Sequence, residues 1–239
     1  MIMTEKAHGI ERAGAYALQP SGNQAFIPKP LPPNPPLTLN NEMLSLLSQA
    51  DIAMGRLDGA TTILPNPDLF IAMYVRKEAV LSSQIEGTQA SLEDILAYES
   101  EVSKPEKLHD IEEVVNYVAA LNYGLERLND LPMSLRLIRE IHEILLRGVR
   151  GQNRSPGEFR SIQNFIGRDV RDRIEDALFI PPPPQAMRQA MYDLEKYLRA
   201  KDEIPALVKI GLIHAQFETI HPFLDGNGRM GRLLITLYL

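Results

Sequence analysis

Apolar residues recur at helical spacing along the first half of the chain. The first such stretch predicts a helix over residues 37–57, with apolar positions at Leu44, Leu47, Met54 and Leu57. Asn40 or Asn41 can cap this helix through its side chain. A second helix is predicted over residues 68–86, and Gly87 follows it at a position where helices commonly stop.

The same period continues through the second half of the chain. It predicts helices over residues 108–128, over 134–149 with Ser134 as the cap, over 187–198 and over 205–220. A last helix, MGRLLITLYL, ends the sequence with apolar residues on several faces. We expect either a homodimer through this helix or a longer chain, because an isolated helix could not hide them.

Two stretches break the helical pattern. Seven prolines between Pro20 and Pro36 predict an extended polyproline arm, which a helix could not accommodate. Residues 151–184 hold glycine and proline breakers without a sustained period. A connection of that length in a compact domain is usually functional or disordered.

Composition narrows the functional classes. The 239 residues are 44% hydrophobic and carry a net charge of −6, so the chain can bury a core and has no electrostatic footprint for nucleic acid. The absence of cysteine excludes disulfides and thiolate chemistry. No apolar run is long enough to span a membrane, and the N-terminus lacks the apolar core of a signal peptide. The cytoplasm is therefore the expected compartment.

The chemistry is concentrated in residues 221–232, HPFLDGNGRMGR. Gly226, Asn227 and Gly228 let successive backbone N–H groups form an anion-binding nest at the start of a helix. Arg229 and Arg232 lie three residues apart on that helix and offer planar forks to phosphate oxygens.

Two further groups complete this site. Asp225 could hold Mg²⁺ through one carboxylate oxygen, and His221 could accept a proton near neutral pH. The combination predicts phosphoryl or nucleotidyl transfer. Taken singly, each residue has an ordinary structural role, but their joint occurrence favours a site. A zinc site built from His221 and Asp225, with His214 seven residues back, is disfavoured because it lacks ligands.

The stretch HPFLDGNGRMGR resembles the Fic motif, H-P-F-x-[D/E]-G-N-G-R-x-x-R, at every specified position. The resemblance implies transfer of AMP from ATP to a protein hydroxyl. It implies that His221 is the general base, that Asp225 binds Mg²⁺, and that residues 226–228 hold the α- and β-phosphates. Arg229 would support the phosphates, and Arg232 would pair with the γ-phosphate.

A second motif, SSQIEG, ends the helix predicted over residues 68–86. A glutamate at a helix C-terminus opposes the helix dipole, and a solvated side chain is its usual explanation. The motif resembles the inhibitory helix of Fic proteins that carry their inhibitor in the same chain. That resemblance implies that Glu86, with Ser82 on the same face, pairs with Arg232 in place of the γ-phosphate.

The resemblance also implies a fold and a division of the chain. It implies an all-α Fic fold with a small β-hairpin flap, placed near residues 164–177, that aligns the target hydroxyl. Arg168, Arg171 and Arg173 form a basic cluster there. The expected parts are a proline-rich arm over residues 1–37, a helical region over 38–130 and a Fic core over 131–239, truncated at its C-terminus.

The resulting hypothesis is a protein adenylyltransferase that uses ATP and Mg²⁺ on a Ser, Thr or Tyr hydroxyl, its own included, and is inhibited by Glu86. One alternative is a nucleotide-binding regulator with little catalysis. Another is a Fic transferase with a different nucleotide or a phosphocholine donor, because the motif recognises the diphosphate and not the base.

Overall fold

The computed structural model describes residues 12–100, 107–169, 171–201 and 203–239. Residues 1–11, where a signal peptide would begin, lie outside the described residues. The described residues form eight helices: α1 (Asn41–Thr61), α2 (Pro67–Ile85), α3 (Leu92–Glu99), α4 (Leu108–Arg127), α5 (Leu135–Leu145), α6 (Pro184–Arg199), α7 (Ala206–Ile220) and α8 (Asn227–Tyr238). The predicted helical fold is confirmed. None of these described helices has the length and apolar character needed to cross a membrane.

A small antiparallel hairpin precedes the helices. Its strands are β1 (Gly14–Leu18) and β2 (Gln24–Pro28), with Tyr16 opposite Phe26 in the register. The polyproline prediction is therefore wrong for residues 24–28. Ala25 and Phe26 are buried there, and the ring centroid of Phe26 lies 5.9 Å from that of Phe179. Burial of these apolar side chains favours the strand, and the described residues 29–40 form no helix or strand.

Contacts divide the chain into two compact units. One joins the described residues up to Pro35 with Ala119–Leu239, and the other is Pro36–Val118. Helix α4 supplies residues to both. The predicted division at residues 37 and 130 stays a prediction.

The unit Pro36–Val118 is built from well-capped helices. The side chain of Asn40 accepts the N–H of Met43 at 2.8 Å, which confirms one of the two predicted caps of α1. Helix α3 was not predicted. It begins with a capping box, because Ser91 accepts the N–H of Asp94 and the Asp94 carboxylate accepts the N–H of Ser91.

In the larger unit, α7 contacts both α6 and α8, and α5 packs against α8. Helix α5 ends at Leu145, earlier than predicted. In α8, the side chains of Leu233, Leu234 and Leu237 are buried, while Leu239, directly after the helix, is 52% exposed. The expectation that the last helix leaves its apolar residues uncovered is therefore wrong for these three leucines. The homodimer stays a prediction.

Residues 151–184 are irregular, as predicted. The described part of residues 164–177 forms no hairpin ladder. A single antiparallel bridge joins Ile166 to Phe179, and the described residues between them contain one 3₁₀ turn, Ile174–Asp176. We call residues 163–181 the flap. Its predicted basic cluster is interleaved with acidic groups. Arg171 Nε lies 3.3 Å from Asp169 Oδ1, and Arg173 Nε lies 3.2 Å from Glu175 Oε2.

Candidate active site

Helix α7 ends at Ile220, and His221 is its C-terminal cap. The helix is anchored by buried Ile213, Phe217 and Ile220, and the His221 N–H donates to the Phe217 carbonyl oxygen at 2.9 Å. The backbone of His221 is left-handed, with φ 49° and ψ 62°. Such a conformation is uncommon outside glycine and costs about 1–2 kcal/mol. The turn therefore needs support from surrounding residues. The His221 side chain is half-buried and lies at the start of the loop.

The Asn227 side chain shapes the loop that follows. Its Oδ1 accepts the Phe223 N–H and its Nδ2 donates to the Phe223 carbonyl oxygen, both at 2.9 Å. The residue is 2% exposed, so these bonds are shielded from water. Because the amide is used within the loop, any ligand contact at this position falls to the backbone N–H.

Gly226 occupies the N-terminal cap position of helix α8 in a left-handed conformation, with φ 75°. A Cβ at this position would lie 3.3 Å from His142 Nε2 and 3.3 Å from Leu146 Cδ2, so a larger residue would crowd both neighbours in addition to straining the backbone. No side chain caps the N-terminus of α8, and its first turn carries no acidic residue. The backbone N–H groups at this end suit an anion.

The Asp225 carboxylate lies beside the nest. Its Oδ1 accepts the Gly226 N–H at 2.6 Å and lies 3.8 Å from Arg229 Nη2. Gly151, with φ 90°, makes room for it, because a Cβ there would lie 2.9 Å from Asp225 Oδ2. The side chain is 35% exposed. A hard cation that takes one carboxylate oxygen, with phosphate and water as other ligands, fits this donor set.

His142 lies on α5, where no motif singles it out, and the structure gives it a place in the site. Its Nδ1 accepts the Gly157 N–H at 2.9 Å, so the proton is on Nε2, which lies 2.9 Å from the Asp225 carbonyl oxygen. The imidazole also stacks on the Phe223 ring, with centroids 3.6 Å apart. His142 thus holds the backbone at Gly157 and at Asp225 through one hydrogen bond to each.

Burial lowers the pKa of His142 to about 4. The unfolded chain takes up a proton below its ordinary pKa of about 6.5, and the folded chain does not. The free energy of unfolding should therefore fall by about 2 kcal/mol between pH 7.5 and pH 5 through this group alone. Urea unfolding of the metal-free parent and of His142→Gln at both pH values checks this prediction. An equal pH dependence in the two proteins would contradict it.

Arg160 holds the other side of the turn. It is 1% exposed, and its Nε donates to the His221 carbonyl oxygen at 2.9 Å. Its backbone N–H donates to the Pro222 carbonyl oxygen at 2.9 Å. Burial lowers the pKa of Arg160 to about 10, so the guanidinium stays charged at neutral pH. No pattern in the sequence had identified this residue.

The two arginines of the motif both lie on α8. Arg229 is buried at 1% exposure, and Arg232 lies half-buried one turn further along α8. Among the described residues, no three histidine, aspartate or glutamate side chains are grouped so that they could hold a metal ion.

The end of α2 is fixed within its own unit. Glu86 is the C-terminal cap, and Gly87 follows it with φ 92°, as predicted for a stop. The buried Thr88 hydroxyl donates to Glu113 at 2.9 Å, and Ser82 is 2% exposed. Glu86 and Arg232 belong to different units, and their pairing stays a prediction.

Two protein adenylyltransferases are similar to this chain in sequence. A probable protein adenylyltransferase of Aquifex aeolicus is 29% identical over 71% of this chain and 49% of its own length. The protein adenylyltransferase Fic of Drosophila grimshawi is 26% identical over 94% of this chain and 44% of its own length. The chain thus spans less than half the length of these relatives.

Solved structures share the fold. A Fic family protein from Desulfovibrio desulfuricans G20 matches with a TM-score of 0.66 and 27% identity, over 85% of this chain and 58% of that one. Fic-1 from C. elegans matches with a TM-score of 0.59 and 25% identity, over 82% of this chain and 59% of that one.

Two family models cover most of the sequence in the expected order. Residues 44–126 match the Fic/DOC family N-terminal model, and residues 132–239 match the Fic/DOC family model. The second match contains the whole turn from His221 to Arg232. The chain therefore belongs to the Fic/DOC family.

Proposed function

We propose that this chain carries the catalytic site of a protein adenylyltransferase, which transfers AMP from ATP to a Ser, Thr or Tyr hydroxyl of a protein. The supporting observation is the turn between α7 and α8. It places a half-buried imidazole, a partly exposed carboxylate and an uncapped helix N-terminus within eight residues, 221–228. The names of the relatives support the same reaction.

In the proposed reaction, the target hydroxyl oxygen attacks the α-phosphorus of ATP and the bond to pyrophosphate breaks. His221 takes the hydroxyl proton, a contribution worth about 10² to 10⁴ in rate. The backbone N–H groups of residues 226–228 and the Arg229 guanidinium stabilise charge that grows on the phosphates. Arg232 holds the γ-phosphate of the leaving group.

Asp225 is the proposed ligand of Mg²⁺, which neutralises phosphate charge when bound. The carboxylate is suited to this role because it is 35% exposed, the Gly226 N–H orients its Oδ1, and Gly151 leaves room for its Oδ2. His142 keeps the Asp225 backbone in place through its carbonyl oxygen. These groups would set where the cation and the phosphates meet.

Inhibition by Glu86 is part of the proposal. The carboxylate would pair with Arg232 and repel the γ-phosphate, with Ser82 supporting the helix end. The end of α2 is closed by Gly87 and anchored by the buried Thr88–Glu113 bond, which supports a defined position for the carboxylate. The proposed compartment is the cytoplasm.

The activity is tested by incubating the parent and Glu86→Gly proteins with α-labelled ATP, Mg²⁺ and candidate targets. Mass analysis should find an AMP adduct on a Ser, Thr or Tyr side chain, with pyrophosphate released in equal amount. Transfer of the γ-phosphate, or ATP binding without any adduct under all conditions, would contradict the proposal. Competition among nucleoside triphosphates tests the choice of donor.

Asp225→Asn should lower Mg²⁺-dependent ATP affinity by about tenfold or more, because the phosphates lose an anionic partner for their cation. The amide oxygen can still accept the Gly226 N–H, so the loop is retained. Calorimetric ATP titrations with Mg²⁺ and with excess chelator measure the change. Asp193→Asn on α6 is the matched control. Equal Mg²⁺ dependence in Asp225→Asn and the parent would exclude the metal role.

A further inference from the structure

The turn that carries His221 is held through consecutive carbonyl oxygens. Arg160 Nη2 lies 3.4 Å from the Ile220 oxygen, Arg160 Nε lies 2.9 Å from the His221 oxygen, and the Arg160 N–H lies 2.9 Å from the Pro222 oxygen. Asn164 Nδ2 donates to the Phe223 oxygen at 3.0 Å. Two residues therefore fix the path of the backbone through the left-handed turn.

The same guanidinium holds both ends of the flap, residues 163–181. Its Nη1 donates to the Ile162 oxygen at 3.1 Å, and its Nη2 donates to the Pro182 oxygen at 2.5 Å. Ile162 and Pro182 directly flank the flap on its two sides. Gln163 adds a bond across the base, from Nε2 to the Pro181 oxygen at 2.8 Å. One buried side chain thus joins the flap to the turn.

Arginine is suited to this position for a physical reason. Its five N–H donors lie in one rigid plane, so acceptors on opposite sides are kept at a set separation. A lysine has one flexible ammonium and could not reach the same acceptors together. A buried charge also needs its hydrogen bonds, because unsatisfied donors in this environment are costly. The Arg160 guanidinium and its carbonyl acceptors therefore stabilise one another's positions.

We propose that Arg160 is a positioning residue that joins the flap to His221, so that a target hydroxyl held at the flap is aligned with the imidazole. The inference rests on the proposed AMP transfer with His221 as base. The side-chain acceptors of Arg160 lie in residues 162, 182, 220 and 221, and none belongs to the nest at 226–228. Loss of Arg160 should therefore affect transfer more than ATP binding.

Arg160→Lys in a Glu86→Gly background tests this separation. We expect kcat for AMP transfer to fall by about 10²-fold, the size of effect that a displacement of about 1 Å can cause. The ATP dissociation constant should stay within about threefold, and amide exchange should speed up together in residues 162–181 and 220–223. Arg199→Lys, a half-exposed arginine on α6, is the control and should change none of these values.

Asn164→Asp is the second variant and keeps the test valid if Arg160→Lys does not fold. It removes the donor to the Phe223 oxygen and should show the same split between transfer and ATP binding. A folded variant that transfers at the parent rate would overturn the inference. Equal loss of transfer and ATP binding would also overturn it, because that pattern indicates general damage.

Failure of the proposed function has a different signature. In that case the Glu86→Gly background itself forms no AMP adduct, whatever stands at position 160. Amide exchange then decides the inference without any activity. Faster exchange in both segments of Arg160→Lys would support the physical link, and faster exchange in only one segment would refute it.

Discussion

Replacing His221 with alanine should lower AMP transfer by about 10² to 10⁴-fold while ATP binding changes little. The reason is that the imidazole is expected to act on the target hydroxyl, whereas the phosphates are expected to contact residues 226–232. Initial rates with α-labelled ATP, measured in the Glu86→Gly background, give the change in kcat. Calorimetry gives the ATP dissociation constant of the same proteins.

The left-handed backbone at position 221 requires a second variant. Alanine at φ 49° costs about 1–2 kcal/mol, so His221→Ala could also disturb the turn. Asparagine tolerates this conformation better and carries no base, so His221→Asn should lose transfer with less effect on thermal stability. His109→Ala is the control, because that histidine is 89% exposed on α4. Transfer at the parent rate by a folded His221→Asn protein would refute the assignment.

Much of the fold could be predicted because local signals and tertiary packing agree. Asn40, Ser134 and Gly87 each occupy the helix boundary that their chemistry indicates. The strand β2 was missed because the nearby prolines dominate the local pattern, while burial of Ala25 and Phe26 depends on residues far along the chain. Helix α3 was missed although Ser91 and Asp94 form a capping box, a signal that the sequence does contain.

The site could be predicted only where its residues are adjacent in sequence. Residues 221–232 contain the base, the carboxylate and the nest in one motif. His142 and Arg160 were missed because their hydrogen-bond partners at the site are backbone groups, which carry no side-chain signature. Asp225 lies 83 residues after His142, and His221 lies 61 residues after Arg160. A single sequence holds no periodicity that could connect such distant positions.

Arg229 illustrates a different limit. The sequence predicts a guanidinium fork for phosphate, and the structure buries that fork at 1% exposure beside Asp225. A buried charge near the nest raises the local positive potential without a competing shell of water. The burial of Arg229 depends on the packing of α8 against α5 and α7, which no local sequence pattern specifies.

Replacing Glu86 with glycine should raise AMP transfer by one to two orders of magnitude. Inhibition of that size requires only about 3 kcal/mol of competition between the Glu86 carboxylate and the γ-phosphate for Arg232, since 1.4 kcal/mol is a factor of ten. A bidentate pair with an arginine fork can supply this energy. The backbone at Glu86, with φ −89° and ψ 7°, accepts glycine without strain, so the fold should be retained.

Three variants separate inhibition by the Glu86 carboxylate from other effects of the substitution, such as greater backbone flexibility. Glu86→Ala should activate nearly as well as Glu86→Gly, because the carboxylate and not backbone flexibility is responsible. Glu99→Gly makes the same change at the end of α3, where the carboxylate bonds to Arg76 at 2.8 Å, and should leave the rate unchanged. Arg232→Ala should not activate, because it removes the contact to the inhibitor and the contact to the γ-phosphate together.

The rate constants and the ATP affinity together decide the outcome. Relief of inhibition should raise kcat and align ATP for attack, so the adduct forms faster at saturating ATP as well as at low ATP. Activation must also disappear in the double variant Glu86→Gly with His221→Asn, because it acts through the same base. If Glu86→Gly and Glu86→Ala transfer AMP at the parent rate while His221 is still required, Glu86 is not the inhibitor. The end of α2 then serves only to cap its helix.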